Sequence, residues 1–216
     1  MSIMIEELRN LEGKTEEEFL RDYDSSKYRK PSVTVDMVIF KKENAYDDQV
    51  CNNFKVLLIK RGNFPDIGKW AFPGGFIEME EDLEESAARE LEEETGLSGI
   101  YLQQLRTFGT VDRDKRDRVI TVAYMAIIDE DMKAIAGDDA AEAKWFDLNF
   151  EIDKDILNIE LSNEDGLKLT PQLKIISKYF GRRQVLRFSI IDRGGIASDH
   201  SEILAYALNK LTNSLI

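Results

Sequence analysis

Residues 32–41, SVTVDMVIFK, alternate between polar and apolar positions and are rich in β-branched side chains, which predicts a strand. A polar stretch over 42–53 reads as a hairpin loop, and FKVLLIKRG (54–62), nearly continuous in apolar residues, predicts a buried strand. NFPDIGKW (63–70), with Pro65, Gly68 and an aromatic residue near each end, predicts a loop, and AFPGGF (71–76) a short strand. Leu83, Ala87 and Leu91 recur every four residues and form an apolar stripe, so a helix of about three to four turns follows. Asp82, with Glu85 three residues on, supplies its N-cap and capping box, and Gly96 suits the residue after its last turn.

Beyond that helix, GIYLQQLRTFGTV (99–111) and VITVAYMAIID (119–129) predict two strands joined by the charged turn DRDKRDR, and AKWFDL (143–148) predicts another. Residues 149–169 read as irregular or as a hairpin. Thr170-Pro171 opens a predicted helix QLKIISKYF that ends at Gly181, and RQVLRFSIID (183–192) is strand-like. Asp199, with Glu202 three on, is the expected cap of a last helix, HSEILAYALNKL. Upstream of all this, residues 1–31 predict a helical appendage in which Thr15 caps EEEFLRDYD with Glu18. Strands, a helix, then strands of mixed direction make an α+β class. The division expected is an appendage over 1–31 and a domain over 32–216 with an insertion at about 149–195.

Composition narrows the classes. The 216 residues are 43% hydrophobic and 33% charged, a globular composition. No apolar run approaches the length of a membrane span, and MSIMIEELRN lacks an apolar leader. With Cys51 as the single cysteine, no internal disulfide forms, and a cytoplasmic protein is expected. The net charge is 29 − 42 = −13, which argues against nucleic-acid binding over the whole surface. Residues 168–193 run against that balance, with Lys168, Lys174, Lys178, Arg182, Arg183, Arg187 and Arg193 against Asp192 alone. This segment either faces the acidic body of the domain or a second subunit, the favoured reading, or is a reduced DNA-binding element.

The chemistry concentrates between Gly75 and Leu97, where 23 positions carry ten acidic residues and one basic residue, Arg89. Glu90, Glu93 and Glu94 stand at i, i+3 and i+4, on one side of the helix. Carboxylates so close repel unless a positive charge sits among them, and hard oxygen ligands suit Mg2+ or Mn2+. Arg89 is a candidate partner for Glu81 or another loop carboxylate, holding the loop to the helix. Gly74-Gly75 marks a backbone that needs special dihedrals or a close approach to a ligand. A solvated acidic face is the bland alternative for the glutamate run alone.

The full spacing is Gly75-x5-Glu81-x7-Arg89-Glu90-Leu91-x-Glu93-Glu94-x-Gly96-Leu97, and with every fixed position filled it resembles the Nudix box. KRGNFPDIGKWAFPGGF and GDDAAEAKWFDL extend the resemblance to the branch of Nudix hydrolases that includes ADP-ribose pyrophosphatases. The resemblance implies a Nudix fold, a mixed sheet sandwiched between helices. It implies metal ligation by Glu90, Glu93, Glu94 and the Gly74 carbonyl, with Glu81 and Arg89 bracing the loop. It also implies a nucleotide-sugar substrate, ADP-ribose first, and a homodimer. A general base on a later loop would be Asp138, Asp139 or Glu142. The same branch contains Nudix-fold transcriptional sensors, often with an eroded box. Here the box is intact.

Among the basic residues, Arg61 and then Lys69 are the candidates to hold substrate phosphates, beside Gly75. Arg113, Lys115, Arg116 and Arg118 read as solvated surface, Trp70 and Phe72 as core rather than base pocket, and His200 as a packing or capping residue.

Overall fold

A computed structural model describes residues 8–42, 54–128 and 140–212. Cys51, Asp138 and Asp139 lie outside them. The chain divides into two compact units at residues 31 and 32. In the first, α1 (Glu16–Asp22) begins at Thr15, whose hydroxyl accepts from the Glu18 N–H (3.2 Å) while the Glu18 carboxylate accepts from the Thr15 N–H (2.9 Å).

The second unit is built on one mixed sheet. Its strands are β1 (Ser32–Lys42), β2 (Phe54–Arg61), β3 (Trp70–Ala71), β4 (Gly74–Phe76), β5 (Gln103–Phe108), β6 (Val119–Ile128), β7 (Ala140–Asp153), β8 (Ile156–Ser162), β9 (Lys168–Leu169), β10 (Gln172–Phe180) and β11 (Arg183–Asp192). Two helices, α2 (Leu83–Thr95) and α3 (His200–Leu211), complete it. The order across the sheet is β11-β10-β8-β7-β2-β1-β6-β5, with β3 on β2, β4 on β1 and β9 on β8. β1 and β6 are parallel, from Ser32 opposite Val119 to Lys41 opposite Ile128, and the other named pairs are antiparallel.

β1 shows why its sequence is so apolar. Val35, Met37 and Ile39 pack with Ala87 and Leu91 of α2, while Val38 and Phe40 pack with Leu204 and Leu208 of α3. A strand covered on both faces buries both sets of alternate residues. Asp36 is the one charge inside this buried run.

One sequence expectation changes and one is narrowed. QLKIISKYF is not a helix but β10, paired with β11 at nine positions and with β8 at Gln172, Leu173 and Lys174. Leu173 and Ile175 are buried while Lys174 between them is exposed, a period of two that outweighs the Thr-Pro start and the Gly181 stop. Pro171 stands just before the strand, where its missing N–H removes no ladder bond. For residues 149–169 the hairpin is the reading that holds: β7 runs on to Asp153 and turns through Lys154 (φ 58°) into the antiparallel β8. Residues 149–195 thus continue the same sheet.

Candidate active site at the glycine turn

β4 and α2 build the site together. β4 pairs with β1, Gly74 opposite Asp36 and Gly75 opposite Val35. A Cβ on Gly74 would collide with the Val35 carbonyl, and one on Gly75 with the Glu90 carboxylate. Only glycine lets the turn lie this close to both the sheet and the helix. The Gly74 N–H donates to Glu94 (2.7 Å), fixing that carboxylate beneath the turn.

Arg89 is the hub. Its Nε and Nη2 donate to Glu81 (2.8 and 3.1 Å), Nη1 donates to Glu90 (2.9 Å) and Glu93 (3.0 Å), and Nη2 also donates to the Phe76 carbonyl (3.3 Å). Ser86 donates to the second Glu81 oxygen (2.7 Å). Of the partners open to Arg89 in the sequence, Glu81 therefore takes the two-point bond, and the loop 77–82 is tied to the helix through it. At the foot of the loop the Glu85 carboxylate accepts from the Asp82 N–H (3.0 Å).

The three glutamates are not equivalent. Glu90 is 14% exposed and Glu94 lies under the turn, whereas Glu93 is 58% exposed and held outward by Arg89. Burial pushes the Glu94 carboxyl up to about 8, with the negative charges of Glu90 and Asp36 adding to it against the Gly74 N–H. Burial also raises Glu90, against the pull of Arg89. Glu81 goes the other way, held below the usual carboxylate range first by its bonds to Arg89.

These groups open into a pocket of about 580 Å3 whose lining includes Asp36, Arg61, Phe64, Glu90, Glu94 and Arg113. Arg61 donates through Nε to the Pro65 carbonyl (2.7 Å) and so shapes loop 62–69. Lys69 is not in this lining; it borders a neighbouring shallow hollow, because its backbone closes the turn onto β3 through bonds to Asp66 and Arg61. Glu142 is also outside the lining, clasped by Lys144 (2.7 Å) and Lys60 (2.8 Å), which hold it down at about 2.

One part of the site is not readable from the spacing. Arg113, expected on the solvated turn, has its side chain only 5% exposed and makes a two-point bond to Asp199 (2.9 and 2.9 Å), with Asp36 at 3.6 Å. Asp199 therefore does not cap α3 through its side chain; its carbonyl accepts from Glu202 and Ile203 instead. His200 accepts through Nδ1 from the Phe72 N–H (2.9 Å), stacks on the Phe72 ring, and holds Nε2 3.7 Å from Asp36. Thr121 donates to Asp36 (2.6 Å). The one signal in the sequence was Asp36 itself, a charge inside a buried strand. Trp70 is core, edge-on to Phe146, and Phe72 is buried at the pocket floor.

The donors facing the pocket are carboxylate oxygens, and Glu94 is raised by its burial first and by the charges of Glu90 and Asp36 after that. That chemistry fits a hard divalent cation. Among the described residues no three acidic, histidine or cysteine side chains already close on one point. Arg89 occupies Glu93 and one oxygen of Glu90.

Residues 30–158 match the NUDIX domain family. An ADP-ribose pyrophosphatase of Methanocaldococcus jannaschii is 41% identical over 145 residues, 65% of this chain and 78% of that one. An ADPR responsive transcriptional repressor of Acinetobacter baylyi is 40% identical over 116 residues, 53% of this chain, and the match spans only 44% of the repressor's length. The crystal structure of a MutT/nudix family protein from Enterococcus faecalis superposes with a TM-score of 0.69 at 37% identity, over 93% of this chain and 70% of that one. The chain belongs to the Nudix hydrolase family, whose enzymes generally use divalent metal ions. Among the described residues no helix is long and apolar enough to cross a membrane.

Proposed function

We propose that this chain hydrolyses the pyrophosphate bond of a nucleoside diphosphate linked to another group, with ADP-ribose, giving AMP and ribose 5-phosphate, as the leading substrate. The observation that carries this reading is the pair of shielded carboxylates, Glu90 and Glu94, set against a glycine turn at the floor of a nucleotide-sized pocket. The identity to the M. jannaschii enzyme supports the choice of substrate. Glu90, Glu94 and the Gly74 carbonyl would hold Mg2+ or Mn2+, joined by Glu93 once it leaves Arg89. When bound, the cation neutralises the phosphate oxygens and lowers the pKa of a water at the scissile bond. Glu81 and Arg89 keep the loop and helix in register. Gly75 leaves room for the Glu90 carboxylate, and Arg61 is the cation for the substrate phosphates. Charge neutralisation and positioning supply most of the rate in such substitutions.

The test is product release from a nucleotide panel with Mg2+ or Mn2+. ADP-ribose turnover is expected to fall about a hundredfold or more in Glu90→Gln and Glu94→Gln, since each removes charge stabilisation from the reacting centre. Glu93→Gln, whose carboxylate starts outside the pocket, is expected to lose less. Failure of the wild type to turn over any nucleotide would overturn the proposal.

The A. baylyi repressor supports a second reading, a sensor that binds such a metabolite without needing to cleave it. Binding of ADP-ribose with no hydrolysis, together with retardation of duplex DNA, would favour it.

A further inference from the structure

Phe64 stands on the loop between β2 and β3 with 74% of its surface exposed. The loop beneath it is pinned. Arg61 holds the Pro65 carbonyl at 2.7 Å, and the Asp66 carboxylate accepts from the Ser198 N–H (3.0 Å) and from Lys115 (3.1 Å). The Gly68 N–H donates to the Arg61 carbonyl (2.8 Å), and the Phe64 N–H donates to Asn63 (2.8 Å). The ring is therefore carried on a fixed backbone rather than on a fraying tip.

A single exposed apolar residue needs no explanation by itself. Two further observations give this one meaning. Among the described residues Phe64 has no aromatic or cation–π partner, whereas Phe76, also at the pocket, lies under the Arg116 guanidinium at 5.1 Å. Phe64 also lines the same pocket as Glu90 and Glu94. That pocket thus combines a carboxylate floor, arginines, and an uncommitted aromatic face on a rigid support.

A nucleoside diphosphate conjugate has the matching division, a charged bridge and a flat aromatic base. Resting on the pyrophosphatase reading above, we propose that Phe64 is the platform on which the base of the nucleoside half stacks. Every base has a π-face, so such a platform favours a nucleoside over a bare sugar phosphate while discriminating little among bases. Pre-fixing the loop spares the entropy of ordering it on binding. Phe64 acts on affinity and orientation and takes no part in bond cleavage.

The experiment is titration calorimetry of AMP and of ribose 5-phosphate into the full chain with Mg2+, for wild type, Phe64→Ala and Phe64→Trp. AMP is expected to bind about five- to a hundredfold more weakly to Phe64→Ala, the range for loss of one base–aromatic stack. Phe64→Trp keeps the affinity, ribose 5-phosphate is indifferent to both changes, and the thermal midpoint is unmoved. In turnover of ADP-ribose the KM of Phe64→Ala rises by much more than kcat falls. Equal AMP affinity in wild type and Phe64→Ala overturns the inference and leaves the hydrolase reading standing. So does equal weakening of AMP and ribose 5-phosphate, or a change of oligomeric state in Phe64→Ala that accounts for the loss. A wild type that binds AMP through Phe64 but cleaves nothing supports the platform and sinks the hydrolase. A wild type that binds neither AMP nor ADP-ribose overturns both.

Discussion

Glu94 carries the opposing demands of the site in one side chain. Burial, with Glu90 and Asp36 nearby, pushes its carboxyl up to about 8, while an unfolded glutamate titrates near ~4.3. Between those values the folded chain holds a proton that the unfolded chain has lost. The contribution of Glu94 to stability is therefore present at low pH and declines as pH rises through that window. Glu81 has the opposite sign: its carboxyl is held low by Arg89, so its contribution is present above the unfolded value and lost as pH falls. In chelator, the thermal midpoint of the wild type is expected to fall between about pH 5.5 and about pH 8.5 more steeply than that of Glu94→Gln, which has no proton to lose there. The variant should be the more stable of the two at the upper end. Adding Mg2+ should raise the wild-type midpoint at the upper end and leave the variant nearly unmoved, by linkage to a cation that binds only the folded chain. Parallel curves for the two proteins would show that Glu94 is ionised throughout. The sequence spacing put Glu90, Glu93 and Glu94 on one side of α2 but not their inequality. Successive helical residues are about 100° apart, so Glu93 and Glu94 flank Glu90, and only contact with the glycine turn and Arg89 decides which is shielded.

The turn in β4 separates two kinds of glycine at the scale of an element. An added Cβ on Gly75 meets the far end of the Glu90 side chain, which can swing away. One on Gly74 meets the backbone of β1 at Val35 and Asp36, which cannot, and Gly74 sits at φ 155° besides. Gly75→Ala is expected to retain most of its thermal stability and lose most of its turnover, through displacement of Glu90. Gly74→Ala is expected to lose both, by about 1–3 kcal/mol of stability or more, the range for overpacking against a fixed neighbour. Melting curves and ADP-ribose turnover on the two variants check this, and equal effects in both would refute it. Elements held by local signals were legible: the capping pairs Thr15–Glu18 and Asp82–Glu85, the α2 stripe and the buried β1 and β2 all read directly from pattern. β10 was not, because a Pro start and a Gly stop are also helix punctuation, and only pairing with β8 and β11 decides for a strand. Asp199 is the N-cap residue of α3 as the sequence suggests, but its side chain makes no capping bond. Arg113, 86 positions away, takes its carboxylate instead.

The run of positive charge over 168–193 belongs to the molecule as a whole, since its meaning depends on the −13 around it. In the sheet it spans β9, β10 and β11 at one end of the strand order. Lys168 pairs with Glu160 (2.7 Å) and Lys174 with Asp155 (3.5 Å), so part of the charge is answered within the domain. Lys174, Lys178 and Arg187 lie on the face opposite to the buried Leu173, Ile175 and Phe188. A two-stranded ribbon can enter a DNA groove, so the geometry alone does not decide between a solvated sheet face and a duplex contact. Electrostatics weighs against the duplex contact. Non-specific duplex binding grows with the number of phosphates neutralised and falls steeply with salt, and a strongly acidic body opposes it. The expected outcome is no retardation of duplex DNA by micromolar protein at ~150 mM salt, a condition under which a few phosphate contacts give only weak binding. Lys178→Glu combined with Arg187→Glu should leave ADP-ribose turnover unchanged, because neither residue lines the pocket. Retardation that weakens with salt and disappears in the double variant would make this face a DNA contact and move the chain from enzyme to sensor. Unchanged turnover with no retardation in either protein would leave the positive charge to the domain's own acidic surface or to a second subunit.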